Sequence, residues 1–446
     1  MLNRRQFSMT AFAFAGLAAQ SRAAAGGLMA TASGYGPLQN DPAGLIDLPP
    51  GFSYQIISQL GEPMSDGYRV PDRADGMGCF RLDGGKLALV RNHELGPKHV
   101  SSGPLNAGAA VPEGTFDRVG DAAIPGGTTT LVLDGDTLAV EKQYLSLLGT
   151  IRNCAGGVTP WNSWLSCEES VAGPADGVGQ SHGWIFDVPA DAGKLVKAEP
   201  LKAMGRFVRE AAAVDPRTGI VYMTEDRDDS LFYRFLPDVP GSLARGGRLQ
   251  ALAFFDKSIA DSRNWASAVV MQPGSWHFTN WIDLDDPESP ADDLRLRGAT
   301  KGAARFARGE GIHWGDNELY FTCTSGGPAK QGQIMRYRPS HYEGTAQERS
   351  NPGRLQLFLE STDPAQYSYG DNLTVAPNGH LIVCEDQYED TVDNHLRGVT
   401  PYGEVYAFGR IRVQTEPAGV CFAPDGKTMF VNLYSPTKTL AIRGPF

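Results

Sequence analysis

The stretch DNLTVAPNGHLIVCED, residues 371 to 386, reads as two short strands folded back on a turn. Leu373 to Val375 and Leu381 to Val383 are aliphatic and β-branched runs, and Pro377-Asn378-Gly379 between them supplies the backbone conformations of a tight turn. Acidic residues stand at both ends: Asp371 opens the hairpin, and Glu385 and Asp386 close it.

The same design recurs along the chain, in DGMGCFRLDGGKLALVRNHE (75 to 94), CAGGVTPWNSWLSCEE (154 to 169), EAAAVDPRTGIVYMTED (210 to 226), EGIHWGDNELYFTCTSGG (310 to 327) and EPAGVCFAPDGKTMFVN (416 to 432). With the first stretch these make six copies. Further strands such as TTTLVLDG, GWIFDVPA, LFYRFLP, QIMRYRP and GEVYAFG lie between them, and no helical periodicity persists. The pattern predicts an all-β chain, residues 26–446 forming a single six-bladed β-propeller, with a sandwich or a pair of barrels as the structural alternative. The longest insertions, 95 to 127 and 240 to 305, are expected to cover one face with their loops.

The first residue of a hairpin and its last lie together at the open end, so chemistry at both places converges. The openings carry Asp75, Cys154, Glu210, Glu310, Asp371 and Glu416. The closings carry Asn92 and Glu94, Glu168 and Glu169, Glu225 and Asp226, Thr324, Glu385 and Asp386, and Asn432. If these hairpins are the inner strands of the blades, all of these groups point to one mouth of a central channel. So many carboxylates together repel one another unless cations neutralise them. Oxygen donors alone suit Ca²⁺ or Mg²⁺, whereas a thiolate among them favours a transition metal such as iron or zinc. Neighbouring strand residues face opposite sides, so only one of Glu168 and Glu169 can face the cations, and the expectation is Glu169.

Of the six cysteines, Cys154 alone opens a hairpin; Cys79, Cys167, Cys323, Cys384 and Cys421 fall within apolar strands, where a free thiol behaves as a small hydrophobe. A Cys154–Cys167 disulfide is the rival reading. The eight histidines show no zinc-binding spacing, and neither a Ser-His-Asp order nor a G-x-S-x-G elbow is present.

The N-terminus, MLNRRQFSMTAFAFAGLAAQSRAAAGG, pairs Arg4 and Arg5 ahead of a mildly apolar stretch and small residues at 23 to 25. It reads as a twin-arginine export signal over residues 1–25 and places the mature protein in the periplasm or outside the cell. The apolar stretch is too short to span a bilayer, so no membrane span is expected after cleavage. A formal charge of -11 with no basic stripe argues against a nucleic-acid surface.

These residues carry a resemblance to the PhoX-type alkaline phosphatases, a family of twin-arginine-exported propellers. The matching segments are the signal, RNHE, NCAGGVTPWNSWLSCEE, GRFVREAAAVDPRTGIVYMTED, ARGEGIHW, GDNLTVAPNGHLIVCED and EPAGVCFAPDGKTMFVN, in order along nearly the whole mature chain. The resemblance implies hydrolysis of small phosphate esters, monoesters first and diesters as a further class, at a cluster of iron and calcium. It implies that Cys154 is the iron ligand and that Glu169, Glu210, Glu310 and Asp371 are shared between iron and calcium. Asn92, Glu94 and Glu385 would complete the calcium shell. Arg308 would bind the phosphate with Asn92, and Arg308, Cys154 and Glu310 would carry the catalysis. Two other classes stay open on the residues alone: a calcium-dependent propeller hydrolase of phytase-like or lactonase-like kind, and a non-catalytic exported binding protein.

Overall fold

The six hairpins are the inner strand pairs of six blades. The computed structural model describes residues 34–106, 108–265 and 269–446, and the proposed signal, residues 1–25, lies outside the described residues. The pairs are Ala74–Arg81 with Lys86–His93 in blade 1, Asn153–Val158 with Ser163–Glu168 in blade 2, and Arg209–Val214 with Val221–Glu225 in blade 3. Gly309–Trp314 pairs with Leu319–Cys323 in blade 4, Gly370–Val375 with Leu381–Glu385 in blade 5, and Pro417–Phe422 with Thr428–Leu433 in blade 6. The turn residues behave as their chemistry requires: Gly379 and Asn162 sit at φ of 82° and 65°.

A third strand follows in every blade and, among the described residues, a fourth in all but blade 2. The fourth strand of blade 6 is Ser53–Gln59, from the N-terminal part of the chain, paired with Lys438–Arg443. This pairing ties the two ends of the ring together. Each innermost strand packs against those of the blades before and after it, and the sixth packs against the first, so the ring is closed.

Blade faces are apolar because the strand side chains alternate between the two neighbouring blades, and every blade interface has its own cluster. Phe232 and Phe321 stack at 4.3 Å between blades 3 and 4, for example, and Leu165, Cys167 and Ile185 of blade 2 meet Val221, Met223 and Tyr233 of blade 3. All six cysteines are free and buried, which removes the Cys154–Cys167 disulfide, and five of them lie in these interfaces.

The 240–305 insertion is more than covering loop. It supplies Gly247–Phe254, the fourth strand of blade 3, and Trp276–Asp283, which pairs with that strand on one side and with Arg354–Glu360 of blade 4 on the other. Two blades thereby share one continuous sheet. The segment also carries a short α-helix, Leu294–Thr300. Among the described residues no helix is long and apolar enough to cross a membrane.

Candidate metal centre

The open end of every hairpin is closed by one backbone hydrogen bond, from the residue after the second strand to the residue before the first. Glu94 donates to Arg73, Glu169 to Arg152, Asp226 to Val208, Thr324 to Arg308, Asp386 to Tyr369 and Tyr434 to Glu416, at 2.8 to 3.1 Å. These six bonds define equivalent positions around the ring.

Just inside each of them the innermost strand is bulged. It advances three residues where its partner advances two, as from Asn153 to Gly156 against Glu168 to Ser166, or from Arg209 to Ala212 against Glu225 to Met223. The same shift occurs at the same place in blades 1, 4 and 5, and one residue later in blade 6, between Ala418 and Cys421. A bulge turns one side chain out of the regular alternation. The residues so placed, two after the closing carbonyl, are Asp75, Cys154, Glu210, Glu310 and Asp371; at that position blade 6 has Ala418, which is still paired with Asn432. The next residues are small in all but one blade. A Cβ on Gly76 would lie 2.6 Å from the Cα of Ala155, and one on Gly311 2.7 Å from that of Asn372, so the inner strands approach one another too closely there for a side chain.

The closing hydrogen bond of blade 6, from Tyr434 to Glu416, corrects the sequence reading of the sixth copy. Its equivalent opening and closing residues are Ala418 and Tyr434, each two residues after Glu416 and Asn432. Glu416 stands instead where the other blades have Arg73, Arg152, Val208, Arg308 and Tyr369.

The bulge residues form one buried cluster. Ligand atoms of Cys154, Glu169 and Glu210 all lie within 4.8 Å of one another, as do those of Glu210, Glu310 and Asp371, so Glu210 belongs to both groups. Asp75 joins them through its Oδ2, 3.4 Å from the Cys154 Sγ. Both carboxylate oxygens of Glu210 and the Oδ1 of Asp75 are buried without a hydrogen-bond partner among the described residues. Buried polar atoms in native proteins nearly always have partners, so these three are the mark of a missing one. Burial, then the neighbouring Glu310 and Asp371, pushes Glu210 well above the usual carboxylate range. Burial does the same to Asp75, Glu169, Glu310 and Asp371, helped in each by adjoining carboxylates. The Cys154 thiol is likewise held well above its usual range by burial and by Asp75. One thiol amid oxygen donors that repel one another and lack partners is a donor set that fits bound cations.

The closing doublets divide by the pleat. Glu169 faces the cluster, whereas Glu168 faces the blade, where it accepts from the N–H groups of Ile151, Gly183 and Trp184 at 2.9 to 3.1 Å and meets His182 Nδ1 at 2.6 Å. Glu225 turns to the Tyr233 hydroxyl, at 2.7 Å. Glu385, expected among the calcium ligands, is in the same position and is not brought to the cluster: Arg397 Nε at 2.8 Å and the N–H groups of Ser368 and His395 hold it.

Asn92, also expected at the metals and on the substrate, is likewise occupied elsewhere. Its Nδ2 donates to the carbonyls of Cys154 and Ala155 at 3.2 and 2.7 Å, and its Oδ1 accepts from Trp164 Nε1 and Ser166 Oγ at 2.9 and 2.8 Å. An amide has four such places and all are filled. Asn92 instead braces the bulge of the next blade. Asn432 does the same for Asp75 O, Thr224 for Glu310 O and Thr322 for Asp371 O, at 2.5 to 2.6 Å.

Above the cluster lies a rim of cations. Arg308 grips Asp226 through Nε and Nη2 at 2.6 and 3.0 Å, reaches Glu310 at 3.1 Å, and donates from Nη2 to the Tyr388 hydroxyl at 3.1 Å. Against its burial, this fork holds the Asp226 carboxyl below the usual range. Arg152 bridges Glu94 Oε1 at 2.7 Å and Glu169 Oε2 at 2.5 Å. Glu94 also accepts from Tyr434, whose hydroxyl takes a bond from Arg73 at 2.8 Å. Arg152, Tyr388 and Tyr434 were not among the residues assigned to the site from the sequence, and Asp75 and Asp226 were placed at the mouth there without a ligand role of their own. The arginines leave a trace there nonetheless, since Arg73-Ala-Asp75, Arg152-Asn-Cys154 and Arg308-Gly-Glu310 repeat one spacing.

The family profile described as Alkaline phosphatase PhoX matches residues 33–139 and 136–437. No curated protein matches the sequence. Among solved structures, the fold is similar to Pseudomonas fluorescens PhoX in complex with vanadate, a transition state analogue, at a TM-score of 0.66 and 18% identity over 92% of this chain and 98% of that one. A gluconolactonase from Xanthomonas campestris is similar at a TM-score of 0.42 and 14% identity, over 93% and 99% of the two chains.

Proposed function

Since the chain belongs to the alkaline phosphatase PhoX family and is a metal-dependent phosphatase, we infer that it hydrolyses small phosphate esters at an iron and calcium cluster held in the channel mouth. The observation that carries this reading is the pair of buried, partnerless oxygens on Glu210, shared by both donor groups. Cys154 is the soft ligand suited to iron; Asp75, Glu169, Glu210, Glu310 and Asp371 are the oxygen donors, with Glu94 at their edge. Cations bound there supply charge neutralisation and Lewis-acid polarisation of the phosphoryl oxygens.

The remaining work falls to the chain. Arg308 is locked by Asp226 and Glu310 in one orientation above the donor set, so its guanidinium meets a phosphoryl group without paying to order itself. Tyr388 covers the same guanidinium, with its ring 5.2 Å away. Tyr388 is itself 58% exposed, so the phosphate site lies next to solvent. The signal over residues 1–25 directs the protein to the periplasm or beyond by the twin-arginine machinery.

The test is elemental analysis of protein exported by its own signal, paired with assays on p-nitrophenyl phosphate and bis-p-nitrophenyl phosphate. Iron and calcium together with hydrolysis support the reading; metal-free protein that remains active overturns it. For Arg308→Lys, an unchanged KM and kcat on the monoester would remove Arg308 from the site.

A further inference from the structure

The proposed chemistry uses one arginine at the phosphate, yet the rim holds a second clamped in the same way. Arg152 and Arg308 occupy equivalent positions in blades 2 and 4, each two residues before a bulge residue. Both sit in the left-handed region, at φ of 51° and 52°. A side chain there costs about 1 kcal/mol or more, and such outliers persist where the surroundings impose them. Arg73 and Tyr369, at the same place in blades 1 and 5, share this conformation at 54° and 49°, so it belongs to four of the six closing positions. Val208 and Glu416 make the same closing hydrogen bond without a positive φ. It is the carboxylate clamp that sets Arg152 and Arg308 apart from Arg73, whose Nη1 goes to the Tyr434 hydroxyl.

The two guanidinium groups are also clamped alike. Each offers Nε and Nη2 to carboxylates, Arg308 to Asp226 and Arg152 to Glu94 and Glu169. In neither does Nη1 have a hydrogen-bond partner among the described residues. The Arg152 side chain is 48% exposed against 26% for Arg308, so Arg152 stands further out towards solvent. Blade 3, with Asp226, lies between them. Two forks held in one orientation, two blades apart, each with an unused pair of donors, form a receptor for two oxyanions rather than for one.

We propose that Arg152 is a specificity-determining residue whose free Nη1 binds a second anionic group, carboxylate or phosphate, on the phosphate ester whose scissile group lies at Arg308. This rests on the phosphatase reading of the site. The favoured substrates are then esters with a second negative charge a few bonds from the phosphate, and a plain alkyl phosphate is the poorer substrate.

The test compares 3-phosphoglycerate with glycerol 3-phosphate, which differ by one carboxylate on the same carbon skeleton, in the metal-loaded full-length enzyme and its Arg152→Gln and Arg152→Lys variants. The quantity read is the ratio of the two kcat/KM values, which is independent of how much of each preparation carries metal. The wild type is expected to favour 3-phosphoglycerate by about tenfold to a hundredfold, the worth of one charge-assisted hydrogen bond. Arg152→Gln should bring the ratio close to one, through KM, with Arg152→Lys in between. A wild-type ratio near one, or a ratio that Arg152→Gln leaves in place while both activities fall, overturns the proposal and reduces Arg152 to a brace for Glu94 and Glu169. Metal content of the same preparations tests the cluster separately, since wild type that hydrolyses both esters without metal defeats the cluster reading and leaves the ratio to decide this one.

Discussion

Glu168 and Glu169 are neighbours of identical chemistry with opposite fates. Glu168 faces the blade, where three backbone N–H groups and His182 meet its two oxygens. Glu169 faces the channel, where Arg152 is its one cationic contact and Glu94 and Asp226 push it further above the usual range. The carboxylate on one side is satisfied by the fold and the one on the other side is not. That difference separates structure from function here: a saturated carboxylate holds strands together, and an unsaturated one waits for a cation.

The contrast can be broken most sharply by neutralising each glutamate in turn. Glu169→Gln is expected to lose metal and to lower kcat/KM on a phosphomonoester by about a hundredfold or more, in line with removing one preorganised electrostatic contact. Glu168→Gln should keep its metal but melt earlier, losing about 3 kcal/mol because one amide oxygen cannot accept from the three backbone N–H groups and His182 Nδ1 that the two carboxylate oxygens hold. Metal content by elemental analysis and stability by denaturation distinguish them, and the reverse pattern would show that the pleat has been misassigned.

Removing the metals sharpens the comparison by pH. Asp75, Glu169, Glu210, Glu310, Asp371 and Glu416 all have their folded pKa raised by burial first. Raised carboxylates favour the folded state below the unfolded pKa of about 4, and that contribution is lost as pH rises through the folded values. The metal-stripped protein should therefore melt at a lower temperature at pH 8 than at pH 5, and the metal-loaded protein should not follow that slope. The smallest effect belongs to the braces. Asn92→Ala leaves the Cys154 and Ala155 carbonyls without their donor and should cost about 1 to 2 kcal/mol in denaturation, with metal retained.

Much of the fold was legible because hairpins are local. Asn378-Gly379 and the aliphatic runs beside it specify a turn and two strands within sixteen residues, and six such units leave few architectures besides a ring. The thiols could be sorted for the same reason, since Cys167 and Cys384 stand inside apolar strands. What could not be read was the bulge. The extra residue beside Asp75, Cys154, Glu210, Glu310 and Asp371 depends on how closely the neighbouring inner strands approach, and no local pattern records that. In blade 6 the acidic Glu416 therefore looked like an opening, although the closing hydrogen bond from Tyr434 to Glu416 places Ala418 there. Asn92 looked like a ligand because it stands near a hairpin end, but its amide is saturated by Trp164, Ser166 and two carbonyls of the next blade. Nor does sequence order reveal that Ser53–Gln59 completes blade 6 or that Trp276–Asp283 joins blades 3 and 4.

The sequence by itself determined the strands, their turns, the number of blades and the kinds of donor available, because each of these depends on residues close together along the chain. Only the tertiary structure decided which donors meet. Ring closure brings six bulged strands, five of them carrying donors, to one axis, and the pleat turns Glu169 inward and Glu168 outward. Contacts with the next blade occupy Asn92 and contacts within blade 5 occupy Glu385, while both oxygens of Glu210 are left without a partner among the described residues.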